Sequence, residues 1–108
     1  MKRDIYSKIK TLPELAKIIK ALKSKGNKVI HCHGVFDLLH PGHLKHFEAA
    51  KKKGDVLVVT LTRDEYVNRG PGRPIFNQSL RSETIAAIEC VDFVAINEWP
   101  TAVETIKN

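Results

Sequence analysis

Two histidines three residues apart, His40 and His43, stand inside the stretch Lys28 to His46, KVIHCHGVFDLLHPGHLKH. An imidazole pair at that spacing projects together at the start of a helix. The residues ahead of the pair are an apolar run, Val29-Ile30, then His31-Cys32-His33, Gly34 and Val35-Phe36-Asp37. They read as a strand that ends in a tight turn. Behind the pair, Leu44 to Lys53 is charged and amphipathic, as a helix would be. Strand, turn and helix in that order bring backbone N–H groups and the positive end of a helix to one spot, which suits an anion. Phosphate chemistry is therefore the first expectation.

The same stretch offers a second chemistry. Cys32 with His31, His33, His40, His43 and His46 forms a dense set of potential zinc ligands. Against this metal-binding reading, a strand's period of two points Cys32 away from His31 and His33, and the chain has no CxxC pair. His31 and His33 otherwise read as strand residues that pack or hydrogen-bond, and His46 as an exposed helix residue. Cys90 reads as a buried thiol, and Trp99 and Phe93 as packing residues.

The elements that must position these groups follow along the chain. Residues 1–10 read as a polar lead-in. Thr11 caps a helix with Glu14 as its capping-box partner and Pro13 in the first turn. Leu12, Leu15, Ile18, Ile19 and Leu22 give that helix an apolar stripe, and Gly26-Asn27 stops it. Lys28 to His33 is the first strand. Lys45 to Lys53 is helical with Leu44, Phe47 and Ala50 inward, and Gly54 ends it. Asp55 to Leu61, DVLVVTL, is a near-continuous β-branched run, as in a buried parallel strand. Thr62 to Asn68 is expected to form a short helix. Arg69 to Pro74, RGPGRP, is a loop. Ser79 or Asn77 opens a helix with Leu80, Thr84, Ile85 and Ile88 on one side. Val91 to Ile96 is the third strand, and Thr101 to Lys107 starts a last helix. The alternation implies an α/β fold, a Rossmann-like α/β/α arrangement with a small parallel sheet. Ligands of such sheets bind at the carboxyl ends of the strands, so Gly34 to His43 and the loop Arg69 to Pro74 are expected to meet there.

Composition sets outer bounds. A chain of 108 residues makes a single domain, 1–108, with 43% hydrophobic content. No apolar run reaches the roughly 20 residues of a membrane span, and MKRDIYSKIK lacks the apolar core of a secretory signal. Two cysteines give no disulfide framework. A cytoplasmic protein without a membrane partner is expected. The net charge of +6 fits a solvated basic surface or a phosphate-rich partner. The basic residues are scattered, without interleaved aromatics, which argues against nucleic acid.

GVFDLLHPGH, Gly34 to His43, resembles the G-x-F-D-x-x-H-x-G-H signature of the cytidylyltransferase-like nucleotidyltransferases. Further features are similar to two branches of that family, the adenylyltransferase domain of bifunctional heptose-phosphate kinase/ADP-heptose synthase and glycerol-3-phosphate cytidylyltransferase. These features are the leading helix ending at Gly26, Gly54-Asp55 before a strand, RGPGRP, and LRSETIAAIECVDFV from Leu80 to Val94. The resemblance covers about residues 11–106.

The resemblance implies transfer of a nucleoside monophosphate from ATP or CTP to a sugar phosphate or polyol phosphate, with release of pyrophosphate. It implies phosphate contacts from His40 and His43 as the catalytic pair, close backbone approach at Gly34, and amide donors near Val35 and Phe36. Arg81 is implied at the nucleotide site, and Arg69 and Arg73 at the substrate phosphate. Mg²⁺ would be held through the nucleotide phosphates. A homodimer is implied, with Cys90-Val91-Asp92 a candidate contact. Asp37 has two readings, a cap for its turn and a nucleotide contact. Family members continue past the last helix into a further strand, a lysine–glycine segment and a Ser/Thr-rich motif that helps bind nucleotide. This sequence ends at Asn108 without them. A second expectation is therefore a nucleotide-binding domain with little turnover alone. His31-Cys32-His33 stands where small polar residues are usual in the family, and Val35 where Cys or Thr is commoner.

Overall fold

The computed structural model describes residues 4–67 and 76–97. Its axis is a strand of branched apolar residues, β3 (Val56–Thr62), buried along nearly its whole length. Such a run cannot face water on either side and must be covered on both. β3 pairs in parallel with β2 (Val29–Gly34) on one side and with β4 (Phe93–Asn97) on the other. A two-residue strand, β1 (Ile9–Lys10), adds to the far side of β4, so the all-parallel order is β1-β4-β3-β2.

The pleat divides the core in two. On one face, helix α1 (Leu12–Ser24) packs Leu12, Leu15 and Ile19 against Val29, Val56, Val58, Phe93 and Ala95. On the other, α2 (Pro41–Lys51) and α3 (Gln78–Ala86) bury Phe47, Ala50, Ile85 and Ala86 against Leu57, Val59, Leu61 and Val94. This is the expected three-layer α/β/α fold. The expected start of α1 is also present: Thr11 Oγ1 accepts from the Glu14 amide, and Glu14 Oε1 accepts from the Thr11 amide. Past its end, Gly26 takes the left-handed φ of 88° and the Asn27 amide donates to the Leu22 carbonyl.

Several expectations are corrected. Residues 1–10 are more than a lead-in: Ile5–Lys8 is a 3₁₀ turn and Ile9-Lys10 a strand. Lys8 and Lys10 flank Ile9 there, yet Lys8 is buried, with Nζ donating to the Ile88 carbonyl just past the end of α3. The short helix expected over 62–68 is a single 3₁₀ turn, Asp64–Tyr66. Leu44 is 41% exposed rather than inward, because α2 turns Phe47 and Ala50 to the sheet. In α3 the buried face is Arg81, Ser82, Ile85 and Ala86, while Leu80 is 47% exposed and Thr84 is exposed. The buried stripe lies one residue later than leucine placement suggests, because Arg81 has hydrogen-bond partners inside. The third expected strand begins later, at Phe93; Val91 is buried in the core ahead of it, and the Asp92 carboxylate accepts from the Leu57 amide at 2.8 Å and from Lys51 Nζ at 2.5 Å. Of the three residues expected at a dimer contact, Val91 is buried, and Cys90 and Asp92 are half-buried. The loop Arg69 to Pro74, Trp99 and the helix expected over Thr101 to Lys107 lie outside the described residues.

Candidate functional site

The site begins where β2 ends. Gly34 is its last residue, and a Cβ there would stand 2.7 Å from the tip of the Phe36 ring. Glycine is thus required by close approach. Phe36 itself has a left-handed φ of 51°, the one such non-glycine residue among those described. Its ring meets His43 edge-on at 5.7 Å and Phe47 at 5.2 Å between centroids, so core packing helps to hold the turn. Asp37, 7% exposed, accepts from the Phe76 amide at 2.9 Å, which places the turn against the start of α3.

The chain then enters α2 through a reciprocal cap made of two imidazoles. His40 is the N-cap, and its Nδ1 accepts from the Gly42 amide at 3.0 Å. His43, one turn in, accepts from the His40 amide through its own Nδ1 at 3.1 Å. The arrangement is a capping box with rings in place of Ser/Thr and Glu. It has a chemical consequence. A ring nitrogen that accepts a hydrogen bond carries no proton, so each neutral ring holds its proton on Nε2. The ring centroids are 4.1 Å apart at 38°. The pair therefore presents two Nε2–H donors side by side at the positive end of a helix, His40 exposed and His43 half-buried. Desolvation, then the neighbouring His40 and His46, push the His43 pKa below its ordinary value, favouring the neutral ring. The amides of Gly42 and His43 already have partners, the His40 ring and the His40 carbonyl. Imidazole N–H groups, rather than those two amides, are the donors directed outward.

Arg81 lies behind the turn and is 1% exposed. Its Nε donates to the Phe76 carbonyl at 3.1 Å, one terminal nitrogen to the Val35 carbonyl at 2.8 Å, and the other to Asp64 Oδ1 at 2.7 Å. All three guanidinium nitrogens of Arg81 thus donate to protein acceptors. Arg69 and Arg73 lie outside the described residues. The residues flanking that segment, Asp64 before it and Phe76 after it, are nevertheless both tied to the turn, through Arg81 and Asp37.

The remaining imidazoles separate as the pleat requires. His31 Nε2 and His33 Nδ1 both bond Thr60 Oγ1, at 2.7 and 2.8 Å, on the α1 face of the sheet. Desolvation lowers the pKa of both, with the His33 charge adding to the effect on His31. Cys32 lies on the opposite face, its sulfur 3.9 Å from His46 Nε2. Burial, with the neighbouring Cys90, pushes its thiol pKa up. No cluster of three or more His, Cys, Asp or Glu side chains that could hold a metal ion occurs among the described residues.

Sequence reasoning missed the mutual cap, Thr60 as the hub of the His31–His33 pair, and Asp64 as the Arg81 partner. A signal for the first existed, since H-P-G-H has N-cap to N3 spacing with proline at the first helical position.

A family model described as Cytidylyltransferase-like matches residues 31–108, which include the whole site. The chain belongs to the cytidylyltransferase-like family. Its similarity to curated relatives extends over nearly all of its length. It is 42% identical over 106 residues to Bifunctional protein HldE of Trichlorobacter lovleyi, covering 96% of this chain and 22% of the relative. It is 45% identical over 101 residues to the protein of that name from Sulfurimonas denitrificans, covering 92% of this chain and 21% of the relative. This cytidylyltransferase-like chain thus spans about a fifth of the length of the curated relatives it matches. Among solved structures, a lipopolysaccharide core biosynthesis protein from Thermoplasma volcanium superposes with a TM-score of 0.66 at 33% identity, over 75% of this chain and 66% of that one.

Proposed function

We propose that this chain is a nucleotidyltransferase domain that moves a nucleoside monophosphate from ATP or CTP onto a sugar phosphate or polyol phosphate. The observation that carries the reading is the His40–His43 pair, locked by its own backbone cap with both Nε2–H groups outward, in a chain of the cytidylyltransferase-like family. In the reaction an oxygen of the acceptor phosphate attacks the α-phosphorus in line. The bond from the α-phosphorus to the bridging oxygen breaks, and pyrophosphate leaves with the electron pair. Imidazole donors stabilise charge on the α-phosphate oxygens and on the leaving group. Being fixed beforehand, they need little reorganisation during the reaction. No covalent enzyme intermediate is required, since such chemistry is chiefly positioning and charge stabilisation.

The donor set around the turn is nitrogen-rich; of the two carboxylates described there, Asp37 is buried and bonded to the Phe76 amide, and Asp64 is bonded to Arg81. That suits Mg²⁺ carried in on nucleotide oxygens rather than an ion held by protein carboxylates. When bound, the ion neutralises phosphate charge. The acceptor class rests on the resemblance to the ADP-heptose and glycerol-phosphate branches and on the similarity to the lipopolysaccharide core biosynthesis protein of Thermoplasma volcanium. A cytoplasmic homodimer goes with this reading.

The test is pyrophosphate release from MgATP and MgCTP with a panel of sugar and polyol phosphates. Replacing His40 or His43 by alanine should lower transfer by about a hundredfold or more, the scale for one lost oxyanion-type donor. Full activity in both variants would remove the proposed roles. A second reading is nucleotide binding with little turnover, in which the capped Nε2–H pair holds phosphate without completing transfer. Saturable nucleotide binding without pyrophosphate release would select it.

A further inference from the structure

We propose that Arg81 is a positioning residue that sets the direction of the Phe36 amide and so builds the backbone part of the phosphate site. The inference rests on the nucleotidyltransferase reading above, and its argument begins with peptide geometry. A trans peptide is planar, and its C=O and N–H point in opposite directions. The Val35 carbonyl is held inward by the Arg81 guanidinium at 2.8 Å. The N–H across the same peptide, that of Phe36, is therefore aimed away from Arg81. Were this peptide to flip, its N–H would face a buried cation that can only donate, and the guanidinium would lose an acceptor. Arg81 thus makes one peptide orientation strongly preferred.

The turn needs this support. Phe36 sits at φ 51°, a conformation that is sparsely populated for a bulky residue and that persists only where its surroundings over-determine it. Four constraints meet there. The Phe36 ring packs on Phe47 and His43. Gly34 leaves room for the ring. Asp37 is bonded to the Phe76 amide, and Arg81 joins the Val35 and Phe76 carbonyls. Asp64 completes the clamp by holding the second terminal nitrogen of Arg81, which is 1% exposed. The Asp64 side chain is the partly solvated member, at 38% exposure. A lysine at this position keeps the charge but cannot reach three acceptors from one rigid plane.

The experiment compares the full chain with Arg81→Lys by backbone NMR and by calorimetry with MgATP and MgCTP. The carbon chemical shifts of Phe36 report its left-handed φ, and the amide shifts of Leu57, Val58 and Val59 report the core. The expected result is a Phe36 signature moving toward ordinary φ values, unchanged β3 signals, and nucleotide affinity about tenfold weaker, the scale of one lost hydrogen bond to a charged group. His40→Ala should weaken affinity without moving the Phe36 signature, which separates the two roles. Should Arg81→Lys fail to fold, Asp64→Asn is read in the same way, since it loosens the clamp from its solvated side. Unchanged Phe36 shifts in a folded variant overturn the proposal, as do changes spread equally through β3, which would mark a merely structural arginine. If the unaltered chain binds neither nucleotide, the nucleotidyltransferase reading fails and the role of Arg81 in ligand binding fails with it. The Phe36 shifts still decide whether Arg81 holds the peptide.

Discussion

Replacing Gly42 with alanine should separate the stability of α2 from the chemistry of its first turn. An added Cβ would stand 2.6 Å from Cε1 and 2.9 Å from Nδ1 of the His40 ring. Carbon atoms in contact prefer about 3.5–4.0 Å, so the ring must withdraw by roughly 1 Å. That movement breaks the 3.0 Å bond from the Gly42 amide to His40 Nδ1. A lost N-cap costs about 1 kcal/mol, and alanine in place of glycine in a helix returns up to about 1 kcal/mol. The two effects nearly cancel, so the melting temperature should stay within about 4–8 °C, the shift that 1 kcal/mol produces in a domain of this size. Transfer should not be spared, because a displacement near 1 Å costs about a hundredfold when a pre-aimed group is moved. The assay is pyrophosphate release from MgATP or MgCTP with a panel of sugar and polyol phosphates, beside imidazole nitrogen shifts that report whether His40 Nδ1 still accepts a hydrogen bond. A folded Gly42→Ala protein that keeps transfer within about threefold, with the ring bond gone, would refute the argument that ring placement governs catalysis.

Three further outcomes follow from the structure. His31 and His33 have lowered pKa values in the folded chain, so the unfolded chain binds more protons once the pH drops below the ordinary value near 6.5. Their stabilising contribution is complete above that value and is lost as the pH falls toward their depressed values; melting temperatures from pH 8 to 5 should show it, with a shallower fall in the His31→Gln/His33→Gln variant. Asp92→Ala leaves the Leu57 amide without its carboxylate and Lys51 without its ion partner, a loss of about 1–3 kcal/mol by urea denaturation. At Gly26 an added Cβ meets nothing within 4 Å but φ is 88°, whereas at Gly54 it would lie 2.8 Å from the Lys28 carbonyl oxygen. Gly26→Ala should therefore cost only the left-handed backbone penalty of about 1–2 kcal/mol, and Gly54→Ala should melt lower than Gly26→Ala.

The parts of the fold readable in the sequence are those fixed by local chemistry. The β-branched run at Val56–Thr62, the Thr11–Glu14 capping box and the Gly26 stop act within a few residues, and the structure contains all three. What escaped depends on partners far along the chain. Lys8 is buried where the Ile88 carbonyl, eighty residues away, accepts a hydrogen bond from its ammonium, whereas its charge reads locally as part of a polar lead-in. The leucine pattern phases α3 on Leu80, because nothing local announces that Val35 and Asp64 will receive the Arg81 guanidinium inside. At the site, the spacing of His40 and His43 was legible. The use of their Nδ1 atoms as caps was not, since the familiar capping box is made of hydroxyl and carboxylate groups. The pleat assigned His31, His33 and Cys32 to their faces correctly, but the shared bond to Thr60 required the register of β2 on β3.

The mutual cap also shapes how this site can drift. Each histidine holds the other's end of the first turn, so exchanging either one removes an outward donor and an internal cap in the same step. A serine or threonine at position 40 would repair the cap with a side-chain oxygen, while the outward N–H donor would not return. The nearest viable neighbours in mutational space are therefore chains that keep α2 intact and have lost part of the donor pair. Under the proposed function, a lineage would become a silent binder through one tolerated exchange, but recovering a catalyst would require an imidazole to return at the right position with Gly42 still beside it. That asymmetry is a ratchet written into one turn of helix.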